Sequence, residues 1–241
     1  MQEQLPSSSE GALTGFAADA SLPSTLYALI TDDYSDDLYA YFQALWTSAD
    51  AGRTWRQLPA PLRSHCTYPS MWTAPADSSV YLACGAGDTA EFWKSSDGGN
   101  SWTQKTLPNG NRIWRLTIAP GTPERRGRNQ FRIHVLDDLL YTVDDRGAIW
   151  KSRDGAATWQ LSGYLPATIA GLSTTTILSV SPKDPSVLFI GVMNGIWKSE
   201  DDGGTWTELL SSYGDSGWSI YFNPPLPDTI YATSQTRQQV N

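Results

Sequence analysis

Histidine and cysteine are almost absent from this chain, with two of each in 241 residues. With only His65 and His134, there is little material for a multi-histidine zinc centre or a Ser-His-Asp triad. Cys66 and Cys84 show no metal-ligand spacing and no disulfide-rich framework. One bridge between them stays open, and two buried free thiols are the expectation. No metal or cofactor is expected. Basic residues are also short, 17 Lys and Arg against 25 Asp and Glu, for a formal net charge of -8. Phosphate neutralisation cannot then drive binding, and no nucleic-acid partner is expected. Arg125, Arg126 and Arg128 form the one basic run, and they read as a solvated loop. No apolar run reaches the roughly 18 residues of a membrane span. Residues 1–11 are polar and Ser-rich, with no secretory h-region.

What is present is apolar, aromatic and turn-rich: 40% hydrophobic, 12% aromatic, 20 Gly and 15 Pro. That composition suits many short strands joined by tight turns, an all-β domain. One motif recurs four times: residues 45–55 (LWTSADAGRTW), 92–102 (FWKSSDGGNSW), 149–159 (IWKSRDGAATW) and 196–206 (IWKSEDDGGTW). In each, an apolar residue and Trp precede a Ser-x-Asp turn, and a second Trp closes it. Two β-runs around a short Gly-containing loop make a hairpin. The Asp carboxylate can accept backbone N–H bonds from the turn that follows it. Gly takes a positive φ there without a steric cost. Each indole can bury a large area if its N–H finds a partner. The motif therefore reads as a structural staple with no need of a ligand.

Ser48, Asp50, Gly52 and Trp55 fit one pattern with Ser95, Asp97, Gly99 and Trp102, and with Ser199, Asp201, Gly203 and Trp206. Ser152, Asp154 and Trp159 fit it with Ala156 in the Gly place. This resembles the Asp-box, or BNR, repeat of bacterial sialidases, sortilin-type receptors, xyloglucan-active glycosidases and the photosystem II assembly factor. The resemblance implies β-propeller blades of four antiparallel strands (a, b, c, d). It places the box on the c–d hairpin, away from the ligand face, and it implies an extracytoplasmic location.

The box serines are spaced by 47, 57 and 47 residues, the period of a four-stranded unit. Blades are expected at about 13–59, 69–107, 113–161 and 174–210, with a partial fifth at 217–233. Polar tails are expected at 1–12 and 234–241. The longer, 57-residue interval is assigned to an insertion at 121–130 in the third blade, before a strand at 131–136, with a longer loop after it. Four blades and a half leave strand edges open. The expectation is a fragment of a larger ring, or pairing of the open edges with another chain.

Function concentrates on variable loops, here the b–c and d–a loops of the opposite face. The b–c loops are read as 31–43, 85–91, 137–147 and 191–195. They and the d–a loops place Tyr34, Tyr39, Tyr41, Arg63, Tyr68, Arg112 and Tyr213 as ligand-contact candidates. Asp36, Asp37, Asp88, Glu91, Asp137 and Asp215 are the carboxylates from which a hydrolase would draw its pair, about 5–10 Å apart. The sialidase resemblance would require an Arg motif before the first box. Phe131-Arg132-Ile133 lies after two boxes with His134 in place of Pro, and is read as chance. The favoured function is a non-catalytic scaffold for an unknown glycan or protein ligand. The alternative is a glycoside hydrolase, sialidase-like or xyloglucanase-like, and a purely structural blade array is the third reading.

Overall fold

The computed structural model describes the chain outside residues 1–10, 20, 33–41, 63–65, 67–68, 75–76, 85–90, 111–112, 120–124, 127–129, 132–138, 145, 167–168, 170–176, 182, 193–194, 212–214, 224–225 and 237–241. The described residues are all-β. The first four-stranded meander is β1 (Ala12–Ala18), β2 (Leu26–Thr31), β3 (Phe42–Ser48) and β4 (Arg56–Leu58), paired in that order. The second is β5 (Ser70–Thr73), β6 (Val80–Cys84), β7 (Glu91–Ser95) and β8 (Thr103–Lys105). In the third, β9 (Ile113–Ala119) is followed by a two-stranded ribbon of β10 (Arg125–Arg126) and β11 (Gln130–Phe131). The sheet resumes with β12 (Leu139–Asp144), β13 (Ala148–Ser152) and β14 (Gln160–Tyr164). The fourth is β15 (Ile177–Val180), β16 (Leu188–Val192), β17 (Gly195–Ser199) and β18 (Thr207–Ser211). A last antiparallel pair joins β19 (Asp215–Asn223) to β20 (Leu226–Thr236). The four meanders are β-propeller blades.

The second strand of each blade explains the architecture. A strand with one face in water alternates apolar and polar side chains. The strands Val80–Cys84, Leu139–Asp144 and Leu188–Val192 are instead buried at every position. Their two faces are covered by neighbouring layers, so the sequence runs apolar without alternation. Fully burying one such Leu, Ile or Val side chain contributes about 1.5–3 kcal/mol. The fourth strands lie at the blade edge, and Thr207–Ser211 is exposed throughout.

Two compact units divide the chain near residue 113. In the first unit one apolar cluster joins Leu29, Leu45 and Leu58 of the first blade to Val80, Leu82 and Cys84 of the second. In the second unit the matching cluster joins Tyr141, Val143 and Ile149 to Leu178, Leu188 and Ile190. A smaller one packs Phe189 and Ile196 against Ile220 of β19. Each cluster is the interface between successive layers, so packing between blades is the core.

Three sequence expectations are corrected. Residues 137–147 are not simply a b–c loop, because 139–144 form β12, fully buried and paired with β13 from Leu140↔Ser152 to Val143↔Ile149. The expected strand at 131–136 lies outside the described residues from 132 on, and Phe131 pairs with Arg125 in β11. The Arg run is also not plain loop, since Arg125 and Arg126 lie in β10. The thiols are not free. Cys66 and Cys84 form a disulfide with Cα atoms 5.4 Å apart, inside the span such a bridge requires. The loop carrying Cys66 is brought there partly by the Phe42 N–H, which donates to the Cys66 carbonyl at 2.9 Å.

Candidate functional site

Each of the four repeated turns sets an aspartate between two tryptophans. Each joins the third strand of a blade to the fourth, and all four share one hydrogen-bond plan. Ser48 Oγ donates to Asp50 Oδ1 at 2.8 Å and accepts from the Gly52 N–H at 2.9 Å. Asp50 also accepts from the Thr54 amide at 2.9 Å and the Thr54 hydroxyl at 2.7 Å. Asp97 repeats this with Ser95 and Ser101, Asp154 with Ser152 and Thr158, and Asp201 with Ser199 and Thr205. The serines are nearly inaccessible, 1–2% exposed, and a buried hydroxyl demands such pairing.

These bonds favour the charged form of each carboxyl. The Thr54 hydroxyl and amide, with Ser48, hold Asp50 at about 2. Ser101 and Ser95 do the same for Asp97, also at about 2. Asp201 is lowered by the Thr205 amide and hydroxyl. Burial opposes the shift at Asp154, and its bonds to Thr158 and Ser152 outweigh it, leaving it lowered. Carboxyls of this kind stay ionised near neutrality and make poor general acids. Their oxygens are also committed to their own loop. The third turn keeps the plan with Ala156 at φ 67°, donating to Ser152 Oγ at 2.9 Å, in a region that favours Gly. Trp55 and Trp206 donate to the turn carbonyls of Gly52 and Gly203 at 3.0 and 3.2 Å. Trp102 and Trp206 also reach back to the preceding blade, donating to Pro59 O at 2.7 Å and Tyr164 O at 3.1 Å.

Of the loop candidates, Tyr34, Tyr39, Tyr41, Arg63, Tyr68, Arg112, Tyr213, Asp36, Asp37, Asp88 and Asp137 lie outside the described residues. Glu91 opens strand β7, buried at 7% exposure, with its Cα facing that of Cys84. Asp215 opens strand β19, its backbone opposite Thr236.

The described residues do contain a pocket of about 550 Å³, in the first unit. It lies on the face of the repeated turns, at the junction of the first and second blades. Tyr27 of β2, Thr47 of β3 and Gly98 of the second turn meet there. Tyr27 is 2% exposed. Its hydroxyl borders the second repeated turn. A Cβ on Gly98 would sit 3.4 Å from that hydroxyl. Burial pushes the phenol pKa up, the Asp19 charge adds to this, and Arg56 opposes it. The group is therefore a neutral donor at physiological pH.

Asp19 shapes the rim. Its Oδ1 accepts from the Ser21 and Leu22 amides at 2.9 and 3.1 Å and from the Ser78 hydroxyl at 3.1 Å. These bonds lower its pKa even though burial works the other way. Arg56 stands across from it, 3.4 Å from Asn100 Oδ1. Sequence reasoning missed this site because its residues come from four separate stretches. A signal existed: aligned on the box Ser, the preceding residue is Thr47 in the first copy and Lys94, Lys151 and Lys198 in the others.

No family model matches the chain. A xyloglucanase of Paenibacillus sp. is 25% identical over 229 residues, covering 80% of this chain and 20% of that protein. Xyloglucanase Xgh74A of Acetivibrio thermocellus is 33% identical over 90 residues, 34% of this chain and 11% of that protein. The chain thus spans between about a tenth and a fifth of the length of these curated relatives. Among solved structures, YCF48 from Cyanidioschyzon merolae superposes with a TM-score of 0.57 at 14% identity, covering 96% of this chain and 74% of that one. At that identity the likeness is one of fold.

Proposed function

We propose that this chain is a non-catalytic scaffold of Asp-box propeller blades that binds a glycan or protein ligand. The observation carrying this reading is that the four repeated turns spend their carboxylates internally, on their own serine, threonine and amide groups. The residues most like a catalytic constellation in sequence are thereby accounted for as supports. The β19–β20 pair is read as the opening half of a further blade.

A specific observation favours a second reading, glycoside hydrolysis. Two curated proteins that the chain matches are named xyloglucanase, and one match runs over 80% of this chain. The test is a glycan array combined with turnover assays on xyloglucan and a fluorogenic sialoside. The scaffold reading expects binding without turnover. Turnover abolished by changing Asp36, Asp37, Asp88 or Glu91 would replace it with the hydrolase.

An oxidising, extracytoplasmic location accompanies the proposal. Its support is the Cys66–Cys84 bridge, a bond rare in reducing compartments. Thiol titration of protein isolated without reductant should find no reactive thiol, and two reactive thiols would place the chain in a reducing compartment.

A further inference from the structure

The inter-blade position beneath the repeated turn occurs in both units, and its two occupants differ. In the second unit, Tyr141 faces Lys151 across β12 and β13. The Lys151 ammonium lies 5.2 Å from the Tyr141 ring centre and 2.6 Å from Asp202 Oδ1. The Tyr141 hydroxyl donates to the same carboxylate and lies 3.0 Å from Pro185 O. Lysine, carboxylate and phenol fill the space.

In the first unit the register is the same, with Tyr27 opposite Thr47. Thr47 stands where Lys151 stands, and Gly98 where Asp202 stands. Both halves of the plug are missing. What remains is the pocket of about 550 Å³, with Tyr27 at one wall. Its volume falls in the ordinary range of small-ligand sites, about 300–1,000 Å³.

The lining chooses among ligand classes. Thr25, Thr47, Thr54 and Ser78 bring hydroxyls, Trp55 and Leu22 bring apolar surface, and Asn100 brings an amide. Arg56 sets one positive charge against the two negative ones of Asp19 and Asp97, which disfavours an anion, and both carboxylates are already engaged by Ser21, Leu22, Ser78 and Ser101, which leaves little free charge for a cation. The Thr47, Thr54 and Ser78 hydroxyls already donate to Leu26 O, Asp50 and Asp19, so toward a ligand they accept while the Tyr27 hydroxyl donates, and beside the Trp55 wall this matches a ligand that carries its own hydroxyls and an apolar ring face.

We infer that the Tyr27–Thr47–Gly98 pocket is a binding site for a neutral glycosyl unit, the Tyr27 hydroxyl donating to a sugar oxygen. The site lies on the turn face. It rests on the scaffold reading and supplies that reading with a ligand class and a place.

The test uses the full chain and calorimetric titration with methyl pyranosides and their β-linked disaccharides, with glucuronate and butylammonium as charged controls. Binding of one or more neutral sugars is expected at or below about 10 mM. Tyr27→Phe, which keeps the ring, should weaken it about 3- to 10-fold. The double variant Thr47→Lys with Gly98→Asp rebuilds the plug of the second unit. Asp202 already holds that backbone position at φ 61°, so the variant should stay folded and lose binding by about 30-fold or more. Three results overturn the inference: no neutral sugar bound in that range, a plugged variant that binds like the parent, or binding confined to a charged control. Turnover assays on the same samples separate the two readings. Hydrolysis with the pocket still titrating would defeat the scaffold alone, and a silent pocket with glycans bound elsewhere would defeat the pocket alone.

Discussion

Two junctions of the same design, one in each unit, end in opposite states. At the third-to-fourth blade junction the space under the turn is closed by Lys151, Asp202 and Tyr141. At the first-to-second junction the same register leaves it open around Tyr27. The strands, the turn and its Ser-Asp bonds are alike in both. Two side chains make the difference, and each choice has a cost. Closing the space puts a lysine with a 9% exposed side chain where only a partner makes it tolerable. It also holds a non-glycine residue, Asp202, at a positive φ. Opening it leaves the Tyr27 hydroxyl and the apolar surface of Trp55 and Leu22 against unfilled space, which forfeits the packing contacts of a filled junction.

Acid should have the widest effect, because it acts on what the junctions share. The turn carboxyls sit below the 3.8 they have when unfolded, Asp50 and Asp97 at about 2. A lowered folded pKa contributes stability that is fully present above 3.8 and is lost as pH falls through the folded value. Equilibrium unfolding followed from pH 5 to pH 2 should therefore show both units weakening together over about pH 4 to 2. Retained stability at pH 2 would mean the turn bonds do not matter.

Single substitutions break the comparison next. Asp202→Ala leaves Lys151 buried without its partner. It should cost about 2–4 kcal/mol in denaturant unfolding, somewhat under a fully buried pair because Asp202 is itself one-third exposed. Gly98 has no such partner, and its loss to a small residue costs only the strain of a positive φ. Tyr141→Phe should cost about 1–2 kcal/mol, since Asp202 and Pro185 lose a donor. Tyr27→Phe should be neutral or slightly stabilising in the unliganded chain. Equal costs at the two tyrosines would erase the distinction between the junctions. The smallest effect is expected at Ala156→Gly, which relieves a positive φ and should stabilise by about 0.5–1 kcal/mol. A loss of stability there would show that the Ala156 methyl packing outweighs the strain.

The turns were legible in the chain because their chemistry is local: Ser, Asp and the second Trp sit within eight positions, and their bonds run between near neighbours. Blade order followed from their spacing. β12 was not legible, since Leu139–Asp144 falls in the stretch read as a b–c loop and its place in the sheet is set by pairing with β13. The Cys66–Cys84 bridge depends on strand β3 drawing the Cys66 loop across to β6. The pocket was half legible. Thr47 among three lysines and Asp202 among Gly and Ala are visible once the copies are aligned, yet they mean nothing until the register sets each opposite its tyrosine.

By itself, then, the sequence determined the all-β class, the four-stranded repeat and the internal hydrogen bonding of the repeated carboxylates, because interactions within about ten residues need no partner from elsewhere. The tertiary structure alone decided that the cysteines pair and that one junction is plugged and the other open. Those outcomes depend on contacts between residues 18 and 51 positions apart, and packing between blades, not local preference, brings such residues together.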